Sequence, residues 1–493
     1  MDSDENTPLL SSNAPFGPAA QFPSIHVASR HVAALDVNQI RFEDIVNDFV
    51  FEDHPTQVSF ALAVLLHLRK KKKEIHPSDD LYGLWLAHKA NLRDVDTLEN
   101  LLTDIWTLFL AEYRSVRDIQ TALWTSFLVQ DDADFWALVV DFLAEPDSPD
   151  SLLSHPLISA VIERVWIHGT KNEDPRIAGL LTRYDALSTP RAIHFIDWLA
   201  HITFLVFLFH YLLYPIEQPH TSGGWSWYEY GPREVSLVLL ALSFGIHSRS
   251  FVNISALLVP ISFLTSLPSA PHPESFSFIF LQWAAFLQPL GLNFPHPPSH
   301  LFLFQHRRSL PLAVLINRAL SRILYPVSLF FFPLLLLATY LLSLSLADAF
   351  LRNSFQDVMP PPLETRFTFL CFFVTVLVLL LASISVLAIS TSPAHNSVDL
   401  WDRYSTDVGR SARKINANVV SSYSTSYIFP PPFNLIHIVV VWIPRKVATL
   451  SGYHYPILDI LERVVWRIFV GPLTAFVAFL LWRPRWLSRT ASL

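Results

Sequence analysis

The chain has 493 residues, of which 51% are hydrophobic and only 16% charged, and its mean hydropathy of +0.35 is too high for a soluble protein of ordinary make-up. The composition is that of a multispanning membrane protein. A formal charge of −7 gives nucleic acid no electrostatic footing, and the single cysteine, Cys371, excludes a disulfide framework and a cysteine metal site.

The first segment, MDSDENTPLLSSNAPF, is acidic and polar where a secretory signal is basic and then apolar, so insertion is expected to use an internal span. Residues 1–38 lack periodicity and read as a disordered cytosolic tail. Within it, Glu5, Leu9 and Leu10 match the acidic dileucine form that adaptor complexes read when routing membrane proteins toward a vacuole or lysosome; an incidental pair of leucines has equal weight.

From residue 39 to 190 the pattern is helical, and the spacing predicts a cytosolic domain of six or seven helices punctuated by Pro55, Pro77, Pro146 and Pro175. In TLENLLTDIWTLFLAEY, residues Leu98, Leu101, Leu102, Ile105, Leu108 and Phe109 recur along one helical face. The block Arg69, Lys70, Lys71, Lys72 and Lys73 has two readings, a patch for phosphoinositide headgroups or a solvated helix end whose cations suit the helix dipole.

Residues 191–392 carry the membrane domain. A helix needs roughly 20 apolar residues to cross the hydrocarbon core, and Ile193–Tyr214, Leu324–Leu346 and Phe367–Ile389 meet that length. Between them Val235–Ile246, Val252–Leu267 and Phe276–Leu292 are apolar but short, either tilted spans or partly re-entrant. The fold class is thus an all-α membrane protein with about six transmembrane helices and a helical cytosolic N-terminal domain. Arg183 and Arg191, then Arg307, Arg308, Arg318 and Arg322, then Arg403, Arg410, Arg413 and Lys414 all fall on one side of a six-span chain, which puts both termini in the cytosol. The sequon Asn253-Ile254-Ser255 would then face the cytosol, out of reach of glycosylation. Residues 393–493 form C-terminal cytosolic or interfacial helices; Arg467 and Gly471-Pro472 argue that Val465–Trp482 is interfacial or packed on the bundle rather than a seventh span.

Catalytic templates are absent: there is no HExxH, GxSxG, Walker A loop, GxGxxG or CxxC pair, and the histidines, HPPSH at 296–300 included, lack carboxylates at ligand spacing. The expectation is a non-enzyme without cofactor or metal. Charges at membrane edges point instead to permeation. Asp348, at the end of the fifth span, with Asp357 and Glu364 in the following linker, would crowd three carboxylates at one non-cytosolic mouth, as rings of acids do in cation pores; ordinary span-end polarity is the alternative.

The stretch YIFPPPFNLIHI, with Pro431, Pro432, Phe433, Asn434, Leu435 and Ile436, resembles the Pro-Pro-Phe-Asn-Leu-Ile-Glu segment that fungal vacuolar TRP-type cation channels place after their last pore span. The resemblance covers the region from about Ser188 onward, with His437 where those proteins usually have Glu. It implies a homotetramer of the vacuolar membrane, its pore between spans five and six, passing calcium and other cations. The linker from Ala349 to Thr365 is a departure: it has about seventeen residues, three consecutive prolines and no glycine, too short for a conventional pore helix and carbonyl filter. A non-conducting membrane scaffold or regulatory subunit is therefore the second reading. A small-solute transporter is the third, disfavoured by weak internal symmetry.

Overall fold

The computed structural model describes most of residues 24–291, 306–330 and 399–481, with short internal gaps. It is mostly helical. Two compact units are formed, one from Met1–Gln288 with Arg413–Leu493 and one from Pro289–Ala412.

The larger unit begins with α1 (Ile25–Ala33), inside the stretch expected to be a disordered tail. The Ser24 side chain caps it by accepting from the Val27 N–H, and Ile25, Ala28 and Val32, spaced one helical face apart, are buried. Three apolar residues at that spacing outweigh the surrounding low complexity. Next come α2 (Phe42–Val46), α3 (His54–Lys73) and α4 (Leu81–Ala111). The middle of α3 is buried on every side, with Phe60, Leu62 and Leu65 almost inaccessible, so it is the axis around which α1, α4, α5 (Val116–Trp124) and α6 (Val139–Ala144) pack. On α4 the expected stripe is inward at Leu98, Leu102, Ile105 and Phe109, while Leu108 points out. Ser115 and Asp118 form a reciprocal capping box that starts α5.

Between α5 and α6 the chain makes an antiparallel hairpin, β1 (Ser126–Gln130) and β2 (Ala133–Leu138), pairing Ser126 with Leu138 and Leu128 with Trp136. The all-helical expectation missed it. Phe127 on β1 packs edge-on against Phe60 of α3 at 5.3 Å, and tertiary burial of that aromatic decides the extended form. Helices α7 (Asp150–Leu153), α8 (Pro156–His168) and α9 (Leu180–Ala186) complete the domain, so eight helices rather than six or seven follow Ile40 among the described residues.

Thr189 caps α10 (Pro190–Leu213), with Pro190 in its first turn. Among the described residues α10 is the one helix long and apolar enough to cross a membrane. It packs with α11 (Pro232–His247), α12 (Ile254–Ser266) and α13 (Phe276–Gly291) around Phe204, Leu208, Tyr211, Leu237, Phe263 and Leu281. Small residues set the spacing: Ala241, Ala256 and Ala284 are fully enclosed, and a Cβ on Gly245 would overlap Leu257 of α12. Hydroxyls tie the loop ends, Tyr211 donating to the Pro271 carbonyl at 2.7 Å and Ser262 to that of Ser277 at 2.6 Å.

In the smaller unit, α14 (His306–Phe330) packs against a 3₁₀ turn at Leu400–Asp402. Arg318 Nη1 pairs with Asp407 at 2.7 Å, and its Nη2 reaches the Ser411 hydroxyl at 2.6 Å. Gly409 lies so close to Trp401 that a Cβ would sit 2.7 Å from its carbonyl oxygen. Expected span Leu324–Leu346 begins in α14 and, with Phe367–Ile389, otherwise lies outside the described residues.

The chain closes with α15 (Thr406–Ser424), a short α16 (Asn434–His437) running through a π-helical turn (Ile438–Trp442) into α17 (Ile443–Leu450), then α18 (Ile457–Phe469) and α19 (Gly471–Leu480). The Gly471-Pro472 pair bends α18 and α19 by 47°.

His67 on α3 generates a prediction. Burial, followed by the charges of Lys71, His26 and Lys70, lowers its pKa from 6.5 to about 4. The unfolded chain therefore binds a proton that the folded chain refuses, and stability present at neutral pH is lost as pH falls from 6.5 toward 4. Thermal melts between pH 7 and 4.5 should show a falling Tm whose slope is shallower in His67→Gln; equal slopes would exclude the mechanism.

Candidate functional site

Three distant segments converge where α10 begins. Asp185, the buried acid near the end of α9, has its side chain 3% exposed. Arg467 of α18 grips both its oxygens, Nε at 3.0 Å and Nη2 at 2.7 Å, the two-pronged geometry that a planar guanidinium suits. The Tyr427 hydroxyl adds a third donor to Asp185 at 3.1 Å. The bond with Asp185 raises the pKa of Arg467, and burial followed by the nearby Asp185 charge raises that of Tyr427. Both shifts move away from neutrality, so Arg467 stays charged and the Tyr427 phenol stays protonated at neutral pH.

Around this pair the chain is closely fitted. Trp466 Nε1 donates to the Ile428 carbonyl at 2.9 Å, and its ring meets Tyr427 edge-on at 5.5 Å. Tyr184 donates to the Arg467 carbonyl at 3.2 Å and lies against Gly471, where a Cβ would strike its ring. Tyr427 has a positive φ of 59°, sparsely occupied by a bulky residue, and is held there by these contacts. A small cleft beside the pair is lined by His168, Thr170, Ser188, Tyr423 and Trp466.

The Pro-Pro-Phe-Asn-Leu-Ile segment sits at this junction. The Pro431–Pro432 bond is cis, and Pro432 is followed by the turn that opens α16. Asn434 is buried and exchanges two hydrogen bonds with Ser243 of α11: its Nδ2 donates to the Ser243 carbonyl at 2.8 Å and its Oδ1 accepts from the Ser243 hydroxyl. Phe433 and Ile436 pack with Phe429, Val465 and Trp466. His437 stacks on Phe429 at 4.6 Å and contacts Glu462 of α18 at 3.0 Å. Burial alone would raise the Glu462 carboxyl, but the bonds from His437 and Arg445 win and lower its pKa. Arg445 also reaches Asp459 at 2.6 Å.

Helix α15 makes the third attachment. Tyr423 donates to Asp197 of α10 at 2.6 Å, Ser421 donates to Asp141 of α6, and Trp124 of α5 donates to Ser424 at 3.2 Å. Lys414 reaches the carbonyls of Pro146 at 2.6 Å and Ser148 at 3.2 Å. Asp141 is pushed up by burial, which outweighs its bonds from Ser421 and the Leu138 N–H.

The other expected site residues fare differently. Asp348, Asp357 and Glu364, and Glu5, Leu9 and Leu10, lie outside the described residues. The basic block ends α3 and faces acids of its own domain: Arg69 is buried against Glu99 and the Asp147 carbonyl, Lys70 meets Glu145 at 2.7 Å, Lys72 meets Asp94 at 2.8 Å and Lys73 meets Asp147 at 3.5 Å. Lys71 contacts His26 of α1. Such pairing gives the block a structural role, closer to the helix-end reading than to an open cation patch. Sequence reasoning found Pro431–Ile436 but missed Asp185, Asn434's partner Ser243, and Tyr427; nothing in TRYDAL marks its acid as the centre of a junction. No protein-family model and no curated protein matches the chain.

Breaking the pair on one side leaves a buried charge without its partner, a loss on the order of 3 kcal/mol. Arg467→Ala and Asp185→Ala should each lower Tm substantially, and the double variant should lose much less than the sum. Additive losses in a thermal double-mutant cycle would show that the pair is not coupled.

Proposed function

We propose that the chain is a TRP-like cation channel subunit, calcium-permeable, of an intracellular vacuolar-type membrane, with about six spans and its pore between the fifth and sixth. The observation that carries this reading is the fixed bridge at the head of α10: the segment resembling the channels' Pro-Pro-Phe-Asn-Leu-Ile motif is clipped by Asn434 to Ser243 in the apolar bundle, and the helix after it is gripped by Asp185 from the helical domain. A channel whose soluble domain governs its pore needs such a mechanical link. In this reading α15, which follows the last expected span, carries movement between that span and the helical domain through Tyr423, Ser421 and Lys414.

Selectivity would rest on side chains, Asp348 with Asp357 and Glu364, since seventeen residues leave no room for a glycine-lined filter. A homotetramer and routing by Glu5, Leu9 and Leu10 belong to the same proposal, whereas phosphoinositide contact at Arg69–Lys73 would have to compete with the acids those side chains already face. The shortness of that linker favours one alternative, a non-conducting scaffold or regulatory subunit of the same build.

Planar bilayers holding the purified protein, with calcium on one side and potassium on the other, separate the two. The channel reading expects unitary cation currents whose conductance or selectivity changes in Asp348→Ala. Silence of a demonstrably folded protein across voltage, calcium and osmotic stimuli would leave the scaffold.

A further inference from the structure

A helix in water turns its charges outward and its apolar residues inward. Helix α18 does the reverse. Ile457, Ile460, Val464 and Ile468 form its outward stripe, each 43–67% exposed, while the side chains of Asp459, Glu462 and Arg467 are only 13–25% exposed and engaged in ion pairs with Arg445, His437 and Asp185. Opposite the stripe, Val465 and Trp466 pack on Phe429 and Val470, so the exposed residues are surplus to an already formed core.

The same inversion extends in both directions along the chain. Val439, Trp442, Ile443, Val447 and Leu450 are outward at helical spacing through the π turn and α17, and Phe476, Phe479 and Leu480 are outward on α19. Among the described residues Lys446 is the exposed charge within this surface, and its long stem can lie along apolar surroundings. An apolar surface of this extent, on helices with sheltered charges, requires apolar surroundings.

What those surroundings are follows from α19. It packs alongside the first turns of α10, Val477 meeting Ala192 and Ile196 with Leu473 and Leu481 beside them. Its start lies under Tyr184, just ahead of α10, so it advances in the same direction. Leu199 is the outward residue of α10 nearest this contact, so what covers it borders α19, and Val206 and Phe209 continue the outward face further along α10.

We propose that α17 and α18 lie in the interfacial zone of the bilayer, with the stripes Val439–Leu450 and Ile457–Ile468 seated among lipid acyl chains, and that α19 dips into the same leaflet beside α10. At ten residues, α19 extends about 15 Å, half the hydrocarbon thickness, so it is a half-span. This rests on the membrane reading above. The ligand is the lipid surface itself, recognised by apolar area and by the half-exposed Trp442 rather than by a headgroup pocket.

The test uses the full chain carrying Cys371→Ser, reconstituted in phosphatidylcholine vesicles. Single nitroxide labels are placed through Ile460→Cys, Val464→Cys, Ile468→Cys and Phe479→Cys. Val206→Cys and Phe209→Cys on α10 serve as membrane controls, and Leu108→Cys in the helical domain as a water control. Collision of each label with oxygen, which partitions into lipid, is compared with collision with a nickel chelate, which stays in water. The expected result is oxygen dominance at the α18, α19 and α10 sites, deeper at Phe479 than at Ile460, and nickel dominance at Leu108. Nickel dominance at α18 with oxygen dominance kept on α10 overturns the proposal and leaves the membrane reading standing. Weak collision with both reagents at α18 overturns it in favour of a protein partner or a second copy. Nickel dominance on α10 too removes the membrane reading and this inference with it.

Discussion

The buried ion pair of Asp185 and Arg467 joins parts of the chain 282 residues apart. Neither charge would be tolerated there alone; the Tyr427 hydroxyl adds a donor to Asp185, while the Tyr184 hydroxyl donates to the backbone carbonyl of Arg467 and holds the chain beside the pair. Because it sits between α9 and α18, immediately before the span-length helix, the pair fixes where α10 starts and which way α18 turns its faces. The Asn434–Ser243 exchange and the Tyr423–Asp197 bond then act on elements whose positions are already set. Remove the pair and those polar contacts would have to hold the junction by themselves.

The arrangement has the logic of a clamp. Among the described residues no cluster of three or more histidine, cysteine or acidic side chains could hold a metal ion. At Arg467 and Glu462 the hydrogen bonds favour the charged form, which suits mechanical rigidity. The cleft beside them is small and lined by hydroxyls and aromatic rings already engaged in packing.

Much of the helical content was legible because long apolar periodicities are hard to mistake: the stripe of α4 and the 24 residues of α10 are both where their spacing puts them. The elements that escaped are those decided by contacts distant in sequence. The β1–β2 hairpin exists because Phe127 finds Phe60, and α1 folds because Ile25 and Val32 find α3; neither partner is visible from the local string. The site divides in the same way. Pro431–Ile436 announced themselves as an unusual run, whereas Asp185 and Ser243 are ordinary residues that gain their roles from what faces them. The basic block shows the converse, a conspicuous run whose partners Glu99, Glu145 and Asp94 lie on other helices and absorb its charge.

The contrast in exposure between the two groups of ion pairs has a consequence for ionic strength. At the end of α3, Lys70 is 46% exposed and its attraction to Glu145 passes partly through water, so added salt weakens it in part, the 2.7 Å contact lying inside a Debye length of about 8 Å. The junction pairs are shielded behind aromatic rings and, on the proposed topology, by lipid, where mobile ions do not follow. Raising salt would therefore soften the helical domain at its basic end while leaving the clamp on α10 intact, and the chain would yield domain first and junction last.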